Sequence, residues 1–98
     1  MSVKNTITFT RPSTSVEFPE LTAEFVAVAV DYDQQGKRVL ESKTVSADGL
    51  KQSVVTIFDS ENSRFDFIEN ATIQSALNTR DMYCIENDIT ISQSAEEI

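Results

Sequence analysis

The chain has 98 residues, one domain's worth, and an apolar fraction of 40%, enough for a modest core. Sixteen acidic residues against eight basic ones leave a net charge of -8, a field that repels phosphate backbones and anionic lipid, so neither nucleic acid nor a membrane is expected as a partner. Without histidine or tryptophan, and with one cysteine, the chain lacks the means for the common metal centres, histidine-based acid–base catalysis and an internal disulfide; no cofactor is expected.

Val3 to Thr10 alternates, with Val3, Ile7 and Phe9 at odd positions and Thr6, Thr8 and Thr10 at even ones, the period of a half-buried strand. Arg11-Pro12 ends it, and Ser13-Thr14-Ser15 is loop chemistry. The stretch Pro19 to Gly36 fits two periods. As a helix it places Leu21, Phe25, Val28 and Tyr32 on one face, Pro19 in the first turn, Glu20 and Glu24 at the positive end of the dipole and Gly36 just past the last turn. As a strand, Val26, Val28, Val30 and Tyr32 alternate with Ala27, Ala29 and Asp31. The end signals favour the helix.

Arg38 to Ser46 and Lys51 to Phe58 are β-leaning runs joined by Ala47-Asp48-Gly49-Leu50, which predicts an antiparallel hairpin. Val54, Val55, Ile57 and Phe58 are apolar on both faces, as in a central strand. Asp59-Ser60 offers N-cap side chains to a helical stretch carrying Phe65 and Ile68, then Ile73, Ala76, Leu77, Tyr83 and Cys84. A break is expected at Asn70 to Thr72 and an end at Asn87-Asp88, with Asn87 suited to a left-handed cap. Ile89 and Ile91 alternate with Thr90 and Ser92 in a short last strand, and the acidic tail from Ser94 to Ile98 is expected to fray.

The order β-α-β-β-α-β over a single domain, residues 1–98, predicts a ferredoxin-like α+β fold: a four-stranded antiparallel sheet with two helices on one face. The other face is left open. Thr6, Thr8, Thr10 and Thr90 are expected there, and Val54, Thr56 and Phe58 are assigned to it as well, forming an interaction face most simply covered by a second copy about a two-fold axis.

Little else in the sequence carries chemistry. Asp31-x-Asp33-x-Gln35-Gly36 copies the first half of a calcium loop, but Ser42 stands where the closing bidentate glutamate belongs, so no metal site is assigned. Cys84 lies on an apolar helical stripe with no histidine to act as its base, which reads as a structural thiol. With only Gly36 and Gly49 there is no glycine-rich phosphate loop.

Two resemblances arise. The run Val54-Val55-Thr56-Ile57-Phe58-Asp59-Ser60-Glu61, followed by Phe65, Ile68 and Ile73-Gln74-Ser75-Ala76-Leu77, resembles the second half of dimeric α/β-barrel domains of the antibiotic-biosynthesis-monooxygenase type. This resemblance implies a dimeric barrel enclosing an apolar pocket, an enzyme or small-molecule-binding protein acting on an aromatic or quinone-like substrate without metal or haem. Lacking histidine, the chain departs from the haem-binding members, and no catalytic residue is transferred. Over its whole length the chain also resembles small uncharacterised proteins of tailed phages, of the marine myovirus type that infects cyanobacteria. The residues concerned are Asn5 to Pro12, Ser46 to Leu50, Thr79-Arg80-Asp81 and Asn87 to Thr90. That implies a non-enzymatic phage structural or accessory protein, self-associating as a homodimer or higher oligomer and meeting other virion proteins. It would be made in the host cytoplasm and carried in the virion. The open face favours this interaction module, with the barrel protein as the alternative.

Overall fold

The computed structural model describes every residue from Met1 to Ile98. In chain order the elements are β1 (Val3–Thr10), α1 (Ala23–Gln34), β2 (Arg38–Val45), β3 (Lys51–Phe58), α2 (Glu61–Glu69), α3 (Ala71–Glu86) and β4 (Thr90–Glu97). The four strands form one sheet in the order β2-β3-β1-β4, with every neighbouring pair antiparallel. This is the ferredoxin-like arrangement, with the second helix of the order divided into α2 and α3. No helix is long and apolar enough to cross a membrane.

Local chemistry accounts for the boundaries. The ambiguous segment resolves as helix because the Thr22 hydroxyl accepts from the Phe25 N–H at 3.1 Å and caps α1, and Gly36, at φ +73°, supplies the left-handed residue after its end. Pro19, Glu20 and Leu21 therefore precede the helix instead of forming its first turn. The Ser60 hydroxyl caps α2 by accepting from the Ser63 N–H at 3.1 Å. Asn70 ends α2 by turning to extended ψ, and its side-chain oxygen then accepts from Thr72 N–H at 2.9 Å and Ile73 N–H at 3.3 Å to start α3. At the far end Asp88, at φ 56°, and not Asn87 takes the left-handed conformation.

Two sequence expectations are corrected by the strand register. Val3 lies opposite Phe58, Asn5 opposite Thr56 and Ile7 opposite Val54, so Val54, Thr56 and Phe58 share the helix-covered face with Val3 and Phe9. Doubly apolar pairs leave the phase of a strand undefined by hydropathy, and the ladder sets it here in the opposite sense. The open face instead receives Ser53, Val55 and Ile57, opposite Thr8, Thr6 and Lys4. The tail does not fray: β4 runs to Glu97, opposite Val3, and the Ile98 N–H donates to the Ser2 carbonyl at 3.0 Å. Backbone pairing holds a segment whose side chains bury almost nothing.

A chain of this size usually forms one contiguous core, but here it is in two parts. The first joins Phe25 and Ala29 of α1, Phe58 of β3, Phe67 of α2, and Ile73 and Ala76 of α3. Phe67 is its centre, with ring centroids at 5.6 Å from Phe25, 5.1 Å from Tyr32 and 5.5 Å from Phe58. The second joins Phe9 of β1, Cys84 at the end of α3, and Ile89.

Candidate ligand cavity between sheet and helices

Between these two clusters lies a cavity of about 650 Å³. The sheet supplies its floor through Asn5, Ile7 and Phe9 of β1 and Val54, Thr56 and Phe58 of β3; Phe25, Phe67, Ile73 and Leu77 come from the helices. The mouth is apolar, for Leu21, Val26 and Leu40 line it and are 43%, 49% and 47% exposed. Its size suits a small organic molecule.

The polar groups on these walls are few and placed by the ladder. Asn5 and Thr56 are directly opposite one another at the middle of the floor, and both are buried. The Asn5 side-chain oxygen has no hydrogen-bond partner, a state that costs about 1–3 kcal/mol. Arg38 donates through one Nη to both carboxylate oxygens of Asp33, at 2.9 and 3.2 Å, and its guanidinium lies 5.5 Å from the Phe67 ring. Its Nε is buried without a partner. Arg80 donates through Nε and Nη2 to Asp81 at 3.1 and 2.9 Å and stands over the Phe9 ring at 5.6 Å. Replacing Asn5 by leucine removes the orphaned oxygen and keeps the side chain's reach. The Asn5→Leu variant is expected to gain about 1–2 kcal/mol in urea unfolding while losing affinity for any ligand that bonds the amide. A neutral or destabilising result would mean that the amide is already satisfied in solution.

The segment between β1 and α1 closes one side of the cavity with Pro19, Glu20 and Leu21. It is strapped down by Arg11, which donates to the Gly49 carbonyl at 2.8 Å and the Val16 carbonyl at 2.9 Å and lies 4.1 Å from the Phe18 ring. The Tyr83 hydroxyl adds a bond to the Glu17 carbonyl at 2.7 Å. The cavity wall is thus tied to both the hairpin turn and α3.

The structure divides the set of site residues expected from sequence. Thr6, Thr8, Thr10 and Thr90 do lie together on the open face, with Thr10 opposite Thr90 and Thr8 bonded to Ser53 at 3.2 Å. Val54, Thr56 and Phe58 belong to the cavity instead. In the stretch that copies half a calcium loop, Asp31 and Asp33 are helical residues of α1 ahead of the Gly36 turn, Gln35 donates to Asp31 at 3.0 Å, and Asp33 is held by Arg38. Cys84 is buried in the second cluster, and desolvation by burial pushes its thiol above the ordinary range, the environment of a structural thiol. Asn5, Arg38, Arg80, Phe25 and Phe67 were absent from the expected site. Asn5 carried a visible signal, an amide in phase with Val3, Ile7 and Phe9 on the buried side of a strand.

No protein-family model matches the chain, and no curated protein matches it. Solved structures do match. SnoaB, a cofactor-independent oxygenase from Streptomyces nogalater, superposes with a TM-score of 0.65 at 12% identity, over 99% of this chain and 92% of SnoaB. A candidate antibiotic biosynthesis monooxygenase from Deinococcus radiodurans gives 0.62 at 11% identity, over 98% of this chain and 91% of that one. Another from Caulobacter crescentus gives 0.58 at 10%, over 98% and 89%. The likeness is one of fold. It extends the barrel resemblance of residues 54–77 to the whole chain, whereas the resemblance to phage proteins has no counterpart among these structures.

Proposed function

We propose that the protein is a homodimeric α/β-barrel of the monooxygenase-like type that binds an aromatic or quinol-like small molecule in the cavity between sheet and helices, without metal or haem. The observation that carries this is the cavity itself, a space of about 650 Å³ walled by Phe25, Phe58 and Phe67 with the unpartnered Asn5 amide in its floor. Aromatic walls favour a flat apolar ligand. For an oxygenase reaction the protein would orient the ring and stabilise the negative charge left on a phenolic oxygen as its proton departs, with Arg38 and Arg80 as the nearby fixed cations. The substrate would supply the electrons, one atom of dioxygen entering it and the other leaving as water. The fold of SnoaB, a cofactor-independent oxygenase, supports this alternative over the virion module.

Self-association belongs to the same reading. The open face presents Val39, Val55 and Ile57 among the threonines of β1, and a second copy covers such a face by a two-fold axis. The role in ligand binding is tested by thermal shift and oxygen uptake against a panel of hydroquinones and naphthols. A ligand at a hundred times its Kd adds about 2.7 kcal/mol to the folded state, so binding is expected as a clear rise in Tm. Oxygen uptake with the binders would establish the enzymatic form of the reading. If no member of the panel shifts Tm, the cavity reading is wrong.

A further inference from the structure

Building on the cavity reading, we infer that the preferred ligand is an organic anion, with its apolar body at the aromatic end and its acidic head between Lys43 and Arg80. The first ground is the distribution of charge. In a chain with sixteen acids and eight bases, three of the bases, Arg38, Lys43 and Arg80, line this one cavity, against two acids, Glu20 and Asp81. Arg38 is held by Asp33 and Arg80 by Asp81, while Lys43 takes part in none of the three ion pairs.

The second ground is how Lys43 comes to be there. β2 pairs regularly with β3 from Arg38 opposite Phe58 to Leu40 opposite Thr56, and then slips, so that Ser42 lies opposite Val55 and Lys43 opposite Val54. Leu40 faces the cavity, and strict alternation would send Lys43 to the open face. The extra residue, Glu41, reverses the phase and turns the lysine toward the cavity. A bulge interrupts the ladder, and here its effect is to re-aim a cation.

The third ground is register along the floor. Val54 and Gln52 are successive residues of one face, about 7 Å apart along the strand, and they sit beside Lys43 and beneath the neighbourhood of Phe9 and Arg80. Asp81 engages Nε and Nη2 of Arg80, which leaves Nη1 free for an acceptor. From Val54 to Phe58, at the edge of the aromatic cluster, is about 13 Å, the length of a small fused-ring body.

The test uses two fluorescent probes with the same ring pair, 1-anilinonaphthalene-8-sulfonate and its uncharged parent N-phenyl-1-naphthylamine. Lys43 and Arg80 together are expected to favour the sulfonate by about tenfold in Kd over the uncharged probe. Lys43→Gln should weaken the sulfonate by about fivefold, the upper range for a solvent-exposed charge, and leave the uncharged probe unchanged. Lys51→Gln, with the same change of charge at an exposed residue opposite Thr10 on the other face, should alter neither. Circular dichroism establishes that both variants keep the fold, and Lys43→Met serves in place of Lys43→Gln if that one does not. Equal affinity for the two probes, or a sulfonate affinity indifferent to Lys43, overturns the inference and leaves the cavity reading standing. If neither probe binds, the cavity reading falls with it.

Discussion

Phe67→Ala is expected to lose about 3–5 kcal/mol of stability, a large part of the roughly 5–15 kcal/mol that holds a domain of this size. Phe67 is 6% exposed and touches the rings of Phe25, Tyr32 and Phe58, so truncation opens a void that three elements border. It is also the one large buried side chain of α2, a helix of nine residues that is too short to persist without tertiary contacts. Truncation therefore also releases a helix. The guanidinium of Arg38, 5.5 Å from the ring, loses its aromatic partner at the same time. Urea unfolding followed by far-ultraviolet circular dichroism measures the loss, and a value below about 2 kcal/mol would mean that the cluster repacks around the gap.

The second large effect contrasts two neighbours in β3. Phe58 is 3% exposed in the first cluster, and Phe58→Asp both deletes an aromatic side chain and buries an unpaired carboxylate, which together exceed about 5 kcal/mol. That variant is expected to be unfolded at room temperature. Ile57, one residue earlier, points to the open face opposite Lys4 and Val39. Ile57→Asp is expected to keep the native circular dichroism spectrum and to sediment as a monomer, because the charge falls in the proposed dimer contact and not in the core. A folded Phe58→Asp protein would refute the register of β3, whereas an Ile57→Asp protein that stays dimeric would refute the open face as the contact.

That pair of neighbours also marks where the sequence was readable and where it was not. The limits of β1 and β3, the hairpin turn at Gly49 and the cap at Ser60 were legible, since alternation, turn glycine and capping hydroxyl are local signals. The face of β3 was not, because Val54-Val55 and Ile57-Phe58 satisfy either phase and only pairing with β1 decides between them. Lys43 was invisible for a related reason: a bulge at Glu41 has no composition of its own, and it reverses the expected side of every residue after it. The last half of β4 was hidden because Ser92 to Glu97 bury no apolar side chain and are held through backbone bonds. Of the candidate cavity, Val54, Thr56 and Phe58 were named from the sequence but assigned to the wrong face, and Asn5 was passed over although it is a polar residue in a buried phase. The partners of Asp31 and Asp33, Gln35 and Arg38, were not legible, because carboxylates at alternate positions say nothing of what they bond.

The division of the core has a dynamic consequence. The two apolar clusters communicate through the β1–β3 ladder and along α3, which gives Ile73 and Ala76 to one and Cys84 to the other. Hydrogen exchange is expected to find the amides around Phe9 and Ile89 opening at lower free energy than those of the Phe67 cluster. A molecule seated between them contacts both sides and merges two opening equilibria into one. Under the proposed function, a ligand seated in the cavity is therefore expected to sharpen the unfolding transition as well as to raise its midpoint.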